Sequence, residues 1–142
     1  TFNIGNCYIE KNNQKIGCNP RIPVLVDNKM IIDRIEEVAN EYSLNYNQKN
    51  HKPHLFFDEN SELVKTLMKV YEEGTGKTGT KPNSTGGGTY SRGVKNCVAF
   101  GSVFADEGQI DKMHQANECL EIKFIPKALE LYINALNSFI EL

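Results

Sequence analysis

No apolar run in these 142 residues approaches the roughly 20 needed to cross a bilayer, so no membrane-spanning segment is expected. A strong charge of one sign is also missing. Sixteen Lys and Arg face 18 Asp and Glu, and the net charge of −2 offers no broad basic field for nucleic acid or an anionic membrane. There is no C-x-x-C pair among Cys7, Cys18, Cys97 and Cys119, which argues against a structural zinc knuckle. Four scattered cysteines in a chain of this length read as reduced, mostly buried thiols, and point to the cytoplasm. There is no initiating methionine and no signal peptide. Because the chain starts at Thr1, the expectation is that something upstream has been removed, so the missing signal carries little weight. What is present is ordinary globular composition, 39% hydrophobic and 24% charged. That suffices for one modest core or for parts of two domains.

The hydrophobic periodicity changes along the chain. Residues 1–10 have strand character through Phe2, Ile4, Tyr8 and Ile9, and Lys11 to Gln14 are turn candidates. Ile16, Cys18, Pro20, Ile22, Val24 and Val26 fall on alternate positions and would share one strand face. Pro20 and Pro23 make that an edge or distorted strand, and the alternation sends Arg21 to the opposite face. Asp27 or Asn28 can cap a helix carrying Ile31, Ile35, Val38 and Tyr42, and a short strand fits His54 to Phe57. The order β–β–α–β matches the second half of a ferredoxin-like βαββαβ sandwich whose first βα would lie upstream.

After a boundary near residue 58 the pattern restarts. Asn60 or Ser61 opens a helix with Leu63, Val64, Leu67, Met68 and Tyr71 on one stripe, and Gly74 is expected to stop it. Residues 74–89 are loop, Asn96 to Val103 suggest a buried strand, and 104–118 look irregular. Pro126 suits the first turn of a last helix that places Leu129, Tyr132, Ile133, Leu136 and Ile140 on one side. The expected class is α/β (α+β), in two parts, 1–58 and 59–142.

Four motifs carry candidate chemistry. Gly74-Thr75-Gly76-Lys77-Thr78 looks like a phosphate loop, but the required earlier glycine is Tyr71 and the stretch follows a helix rather than a strand. A helix stop and connector is the better reading. His51 and His54 are three apart across Pro53, on opposite faces of any strand, and read as solvated linker residues. His114 lies in the polar run His-Gln-Ala-Asn-Glu. Histidine is the commonest metal ligand, and Glu118 is a neighbouring carboxylate able to orient its second ring nitrogen. Taken alone the signal is weak, since one histidine cannot hold a metal, and a surface or hydrogen-bonded histidine is the favoured reading. Gly86, Gly87 and Gly88 precede Thr89 and would let backbone N–H groups approach a carboxylate or oxyanion; a flexible loop is the plain alternative.

Taken together, GGGTYSRGVKNCVAFGSVFADEGQIDKMHQANE resembles the carboxy-terminal signature of peptidase V-like dipeptidases. These belong to the zinc metallopeptidase family that also holds aminoacylases, carboxypeptidases and succinyl-diaminopimelate desuccinylases. The resemblance extends forward through Ser61 to Leu67, Tyr71 and Gly74 to Gly76, and back to Thr1 to Gly5 and Arg21 with Pro23. It implies half of a ferredoxin-like lid domain over 1–58, followed by the last part of an α/β zinc-peptidase catalytic domain over 59–142. It further implies two zinc ions per intact site, with manganese or cobalt as possible substitutes, and a dipeptide substrate with a free amino terminus. By the same resemblance His114 corresponds to the last metal ligand, Arg21 to the lid arginine on the substrate carboxylate, and Gly88 and Thr89 to the loop that hydrogen-bonds the same end. The other ligands and the general base would lie upstream, so the chain alone is expected to be inactive. It would pair with that missing amino-terminal part or form a homodimer. Three positions depart from the family pattern: Asn19 stands for a common aspartate, Ala105-Asp106 for Pro-Gly, and Ser91 for a common alanine that matters little. The competing reading is a non-catalytic association or anion-binding module of the same fold. An H-x-D motif and a Glu-Glu pair upstream of Thr1 would favour the enzyme, and a start codon there the module.

Overall fold

The computed structural model describes residues 1–101, 103–104 and 113–140. Its elements are β1 (Phe2–Glu10), β2 (Asn13–Pro20), α1 (Asn28–Glu41), α2 (Glu62–Thr75), a short 3-10 helix (Tyr90–Gly93) and α3 (Phe124–Ile140). They divide between two units, Thr1–Phe56 and Phe57–Leu142. The architecture is mixed α and β, with one two-stranded sheet among the described residues.

In the first unit, β1 and β2 pair antiparallel from Phe2 opposite Pro20 to Glu10 opposite Asn13, leaving Lys11 and Asn12 as the loop. The register shifts between Ile4 and Asn6, so Gly5 is the extra residue of a bulge. The apolar alternation expected through Val26 continues as strand only to Pro20. Beyond it the chain turns, with the Val26 N–H donating to the Pro23 carbonyl at 3.0 Å. Proline cannot extend a ladder, which is why the strand stops there. Asp27 caps α1 by accepting from the Lys29 N–H at 2.9 Å. Lys29–Asp33 and Arg34–Glu37 ion pairs run along its surface. The Asp33 and Glu37 carboxylates hold the Lys29 ammonium and the Arg34 guanidinium above their ordinary pKa by hydrogen bonding and charge. No residue of α1 is buried.

The strand expected at His54 to Phe57 is not formed. A strand persists only where a neighbour satisfies its N–H and C=O groups. Here the His54 imidazole instead donates to the Ile22 carbonyl, Nε2 to O 2.7 Å. The thiols also differ from expectation. All four are free, but Cys7, Cys18 and Cys119 are exposed and only Cys97 is half-buried. Cys7 and Cys18 lie on a hairpin whose apolar side chains are themselves largely exposed, such as Ile4, Ile9 and Ile16.

The buried apolar residues described all belong to the second unit: Val64, Leu67, Val70, Phe104, Phe124, Ala128, Leu131 and Ala135. Ser61 caps α2, accepting from the Val64 N–H at 3.4 Å while its own hydroxyl donates to the Asp58 carbonyl at 2.7 Å. The helix does not stop at Gly74. It runs to Thr75 and ends on Gly76, whose left-handed φ of 70° lets its N–H reach the Glu72 carbonyl at 2.8 Å. Gly74 has a different task. A Cβ there would lie 2.4 Å from Leu131 Cδ2 on α3, so its hydrogen is what allows the two helices to approach. Ala128 and Ala135 keep the α3 side of that contact small. Phe104 stacks at 5.6 Å from Phe124, and Phe100 meets the edge of Tyr132 at 6.0 Å, closing the core.

The segment from Asn96 to Val103, expected as a strand, forms no ladder among its described residues, and Asn96 itself stands in left-handed backbone, φ 55°. Its Val98 and Phe100 still pack on the core. Burial survives without pairing because packing is non-directional and a ladder is not.

Gly74→Ala tests the helix contact. Alanine gains about 1 kcal/mol of helix propensity over glycine. Overpacking against a nearly inaccessible Leu131 (2% exposed) costs about 1–3 kcal/mol. The expected outcome is a net loss of stability, read as a lower denaturation midpoint, whereas Glu73→Ala beside it leaves the midpoint unchanged. A raised midpoint for Gly74→Ala would mean the helices stand further apart.

Candidate functional site

The residues singled out from the sequence fall in both units. Arg21 sits in the first, one residue beyond β2. Its main chain closes the open end of the hairpin: the Arg21 N–H donates to the Thr1 carbonyl at 2.7 Å, and the Thr1 amino group donates to the Arg21 carbonyl at 2.8 Å. That clasp holds the backbone under an exposed guanidinium side chain.

Gly88, Thr89, His114 and Glu118 lie in the second unit. The triple-glycine stretch ends on Thr89, which precedes the 3-10 helix in an extended conformation, φ −122° and ψ 164°. The Gly87 N–H donates to Thr85 Oγ1 at 3.1 Å, so part of the loop's donor capacity is used internally. The Thr89 and Ser91 hydroxyls hydrogen-bond to each other. Ser91 is the buried polar side chain among the described residues, 7% exposed. It therefore holds the Thr89 hydroxyl in place and is more than a neutral replacement for alanine. A hydroxyl two residues after the threonine, at the mouth of a tight turn, was the available sequence signal. Next to it, Tyr90 is fully exposed.

His114 occupies left-handed backbone, φ 60°, and Asn117 does the same at φ 64°. A non-glycine residue in that region costs of order 1–2 kcal/mol, and asparagine tolerates it better than histidine. Two local bonds offset the cost: the His114 N–H donates to Glu118 Oε2 at 3.1 Å, and the Glu118 N–H donates to the Gln115 carbonyl at 3.1 Å. The Glu118 carboxylate therefore bonds the main chain of His114. Both side chains are exposed. The Ala105-Asp106 departure from the family pattern lies outside the described residues.

A complete zinc site does not fit within what is described. Zinc takes three or four nitrogen, sulfur or oxygen ligands. No group of three His, Cys, Asp or Glu side chains able to hold a metal comes together among the described residues. His51, near Asn28, Lys29, Ile32 and Gln48, lines an open hollow on the first unit, not a cage. The Gly74 to Thr78 run caps α2 and is tied back to it, with the Thr80 N–H and hydroxyl both donating to Glu72 Oε1 at 3.0 and 3.3 Å. No described helix is long and apolar enough to cross a membrane.

Glu118→Ala removes the acceptor that offsets the strain at His114. Amide exchange at His114 should accelerate by roughly tenfold, the equivalent of about 1.4 kcal/mol lost from a charge-assisted bond. Exchange within α2 should not change. An unaltered rate at His114 would show that the carboxylate contact contributes nothing to the loop.

No family profile matches the chain, and no solved structure matches it. Curated proteins do. It is 40% identical over 139 residues to "Putative dipeptidase YtjP" of Bacillus subtilis, covering 96% of this chain and 28% of that protein. It is 38% identical over 138 residues to a Staphylococcus epidermidis protein of the same dipeptidase name, with 96% and 29% coverage. A Staphylococcus haemolyticus relative, again named as a dipeptidase, is 34% identical over 140 residues, 97% of this chain and 29% of its own length. The chain thus spans less than a third of the length of the curated relatives it matches. Along nearly its whole length, this chain is homologous to one part of the proteins that carry this dipeptidase name.

Proposed function

We propose that the chain is the carboxy-terminal part of a zinc-dependent dipeptidase that hydrolyses dipeptides with a free amino terminus. The observation that carries this reading is the match of 96% of the chain, at up to 40% identity, to proteins of that name. In this reading residues 1–58 are the second half of a ferredoxin-like lid, and 59–142 are the end of the α/β catalytic domain. The substrate presents a terminal carboxylate. Arg21 binds it through two parallel N–H···O bonds, since a guanidinium fork matches the spacing of carboxylate oxygens. Gly88 and Thr89 bind the same end, Gly88 through its main chain and Thr89 through a hydroxyl fixed by Ser91.

His114 is one ligand of a two-zinc centre, for which manganese or cobalt would accept the same donors. The other ligands and the general base come from the stretch that the relatives have and this chain does not. Support for His114 comes from its strained backbone, held by Glu118: such strain persists where the surroundings over-determine a geometry, and functional sites are where it gathers. The cell compartment of this reading is the cytoplasm, where four free thiols remain reduced.

Three measurements test this. The complete protein, supplied with zinc, should hydrolyse unblocked dipeptides, while residues 1–142 alone should show no turnover. His114→Asn keeps a residue that tolerates left-handed backbone, so stability should hold while activity falls at least about 100-fold. Arg21→Ala should raise KM about 10- to 100-fold, the equivalent of losing a charge-assisted carboxylate contact. Metal-dependent cleavage by the chain alone, or full activity in His114→Asn, would overturn the proposal.

A further inference from the structure

The last helix is apolar on two faces, and only one of them is covered among the described residues. Phe124, Ala128, Leu131 and Ala135 are buried against α2 and its neighbours. Ile125, Leu129, Ile133, Leu136 and Ile140 form a second stripe, and they are 48%, 57%, 49%, 64% and 79% exposed. At about 100° per residue this second stripe is centred roughly 130° around the helix from the first. Lys127, Glu130, Asn134 and Asn137 occupy the remaining sector. A helix that meets one partner needs an apolar stripe of about 100°, whereas one apolar over most of its circumference is a buried helix. No charged residue interrupts the exposed stripe between Ile125 and Ile140.

We infer that this stripe is an interface, and that its occupant is the part of the same polypeptide that the longer relatives possess. The relatives are more than three times the length of the matched segment, which covers 28–29% of them. A covalently attached partner is present at an effective concentration of order millimolar. A second copy of this chain would have to compete with that, from the far lower concentration of a free protein. The missing stretch therefore covers α3 first, making it the middle layer between the α2 core and a further apolar surface. This inference rests on the proposed reading of the chain as one part of a longer polypeptide and on helix chemistry, not on peptidase activity, so it can fail while hydrolysis is retained.

The test uses the complete protein that carries this chain. Single cysteines are placed by Ile133→Cys and Leu136→Cys on the stripe and by Glu130→Cys on the polar face. Thiol labelling is resolved by peptide mass spectrometry and carried out at concentrations where light scattering shows a monomer. Cysteines at 133 and 136 should label at least about tenfold more slowly than the one at 130, because only local opening would expose them. Hydroxyl-radical footprinting of the unsubstituted protein gives the same readout if a variant fails to fold: Leu129, Ile133 and Leu136 should be protected. Labelling at 133 and 136 as fast as at 130 in the monomer would overturn the inference. So would protection that appears only when the protein dimerises, since that makes a second copy the occupant. Loss or retention of dipeptide hydrolysis bears on neither outcome.

Discussion

The close approach of α2 and α3 at Gly74 and Leu131 is the constraint on which the second unit depends. Helix axes come within packing distance only where side chains leave room, and here one helix offers a hydrogen and the other a leucine. The small residues Ala128 and Ala135 extend the same seam. With that distance set, Phe104 and Phe124 can stack at the helix end, and Val98 and Phe100 can lie against the outside. Lys127 reaches over the Phe104 ring, 4.9 Å from its centroid, so a basic side chain covers the aromatic edge instead of leaving it to water.

The candidate ligand and clamp residues all lie on irregular backbone, Arg21 in the first unit and the others in the second. Thr89 precedes a 3-10 turn, His114 is in left-handed backbone, and Arg21 follows the end of a strand. Two are held by bonds within a few residues, Ser91 to Thr89 and Glu118 to His114, and the third across the open end of a hairpin, by the Thr1 main chain to that of Arg21. Loops carry function because their side chains are not committed to a core, but a loop residue is useful only if something local restrains it. All three restraints are made among the described residues.

The two units differ in how they are stabilised. The first has a hairpin ladder, a terminal clasp and a capped helix with surface ion pairs, but its apolar side chains stay half-buried or exposed. A two-stranded hairpin is only marginally stable in water, so its hydrophobic sides are a resource for packing. The second has a true core. That contrast accompanies a chain spanning less than a third of the relatives it matches.

Local signals were legible directly. Caps at Asp27 or Asn28 and at Asn60 or Ser61, the three helices, the turn after Glu10 and most of the loop expected over 74–89 follow from residue chemistry acting within four or five positions. The likeness to dipeptidases was legible as well, because GGGTY-x-R followed by HQ-x-NE is a matter of residue order. What reached beyond a few residues was decided by the tertiary structure. Gly74 looked like a helix stop, and only the position of Leu131 shows that it is a contact point while Gly76 ends the helix. Periodicity offered strands at 54–57 and 96–103, but a strand is a relation between two segments, and no neighbour is supplied among the described residues. The same applies to α3. Its sequence shows a wide apolar surface, but only packing reveals that Leu131 and Ala128 face inward while Leu129 and Leu136 face out. Sequence order alone specifies which groups a helix carries; three-dimensional contact selects which of them meet, because hydrophobic burial has no direction until a partner surface provides one.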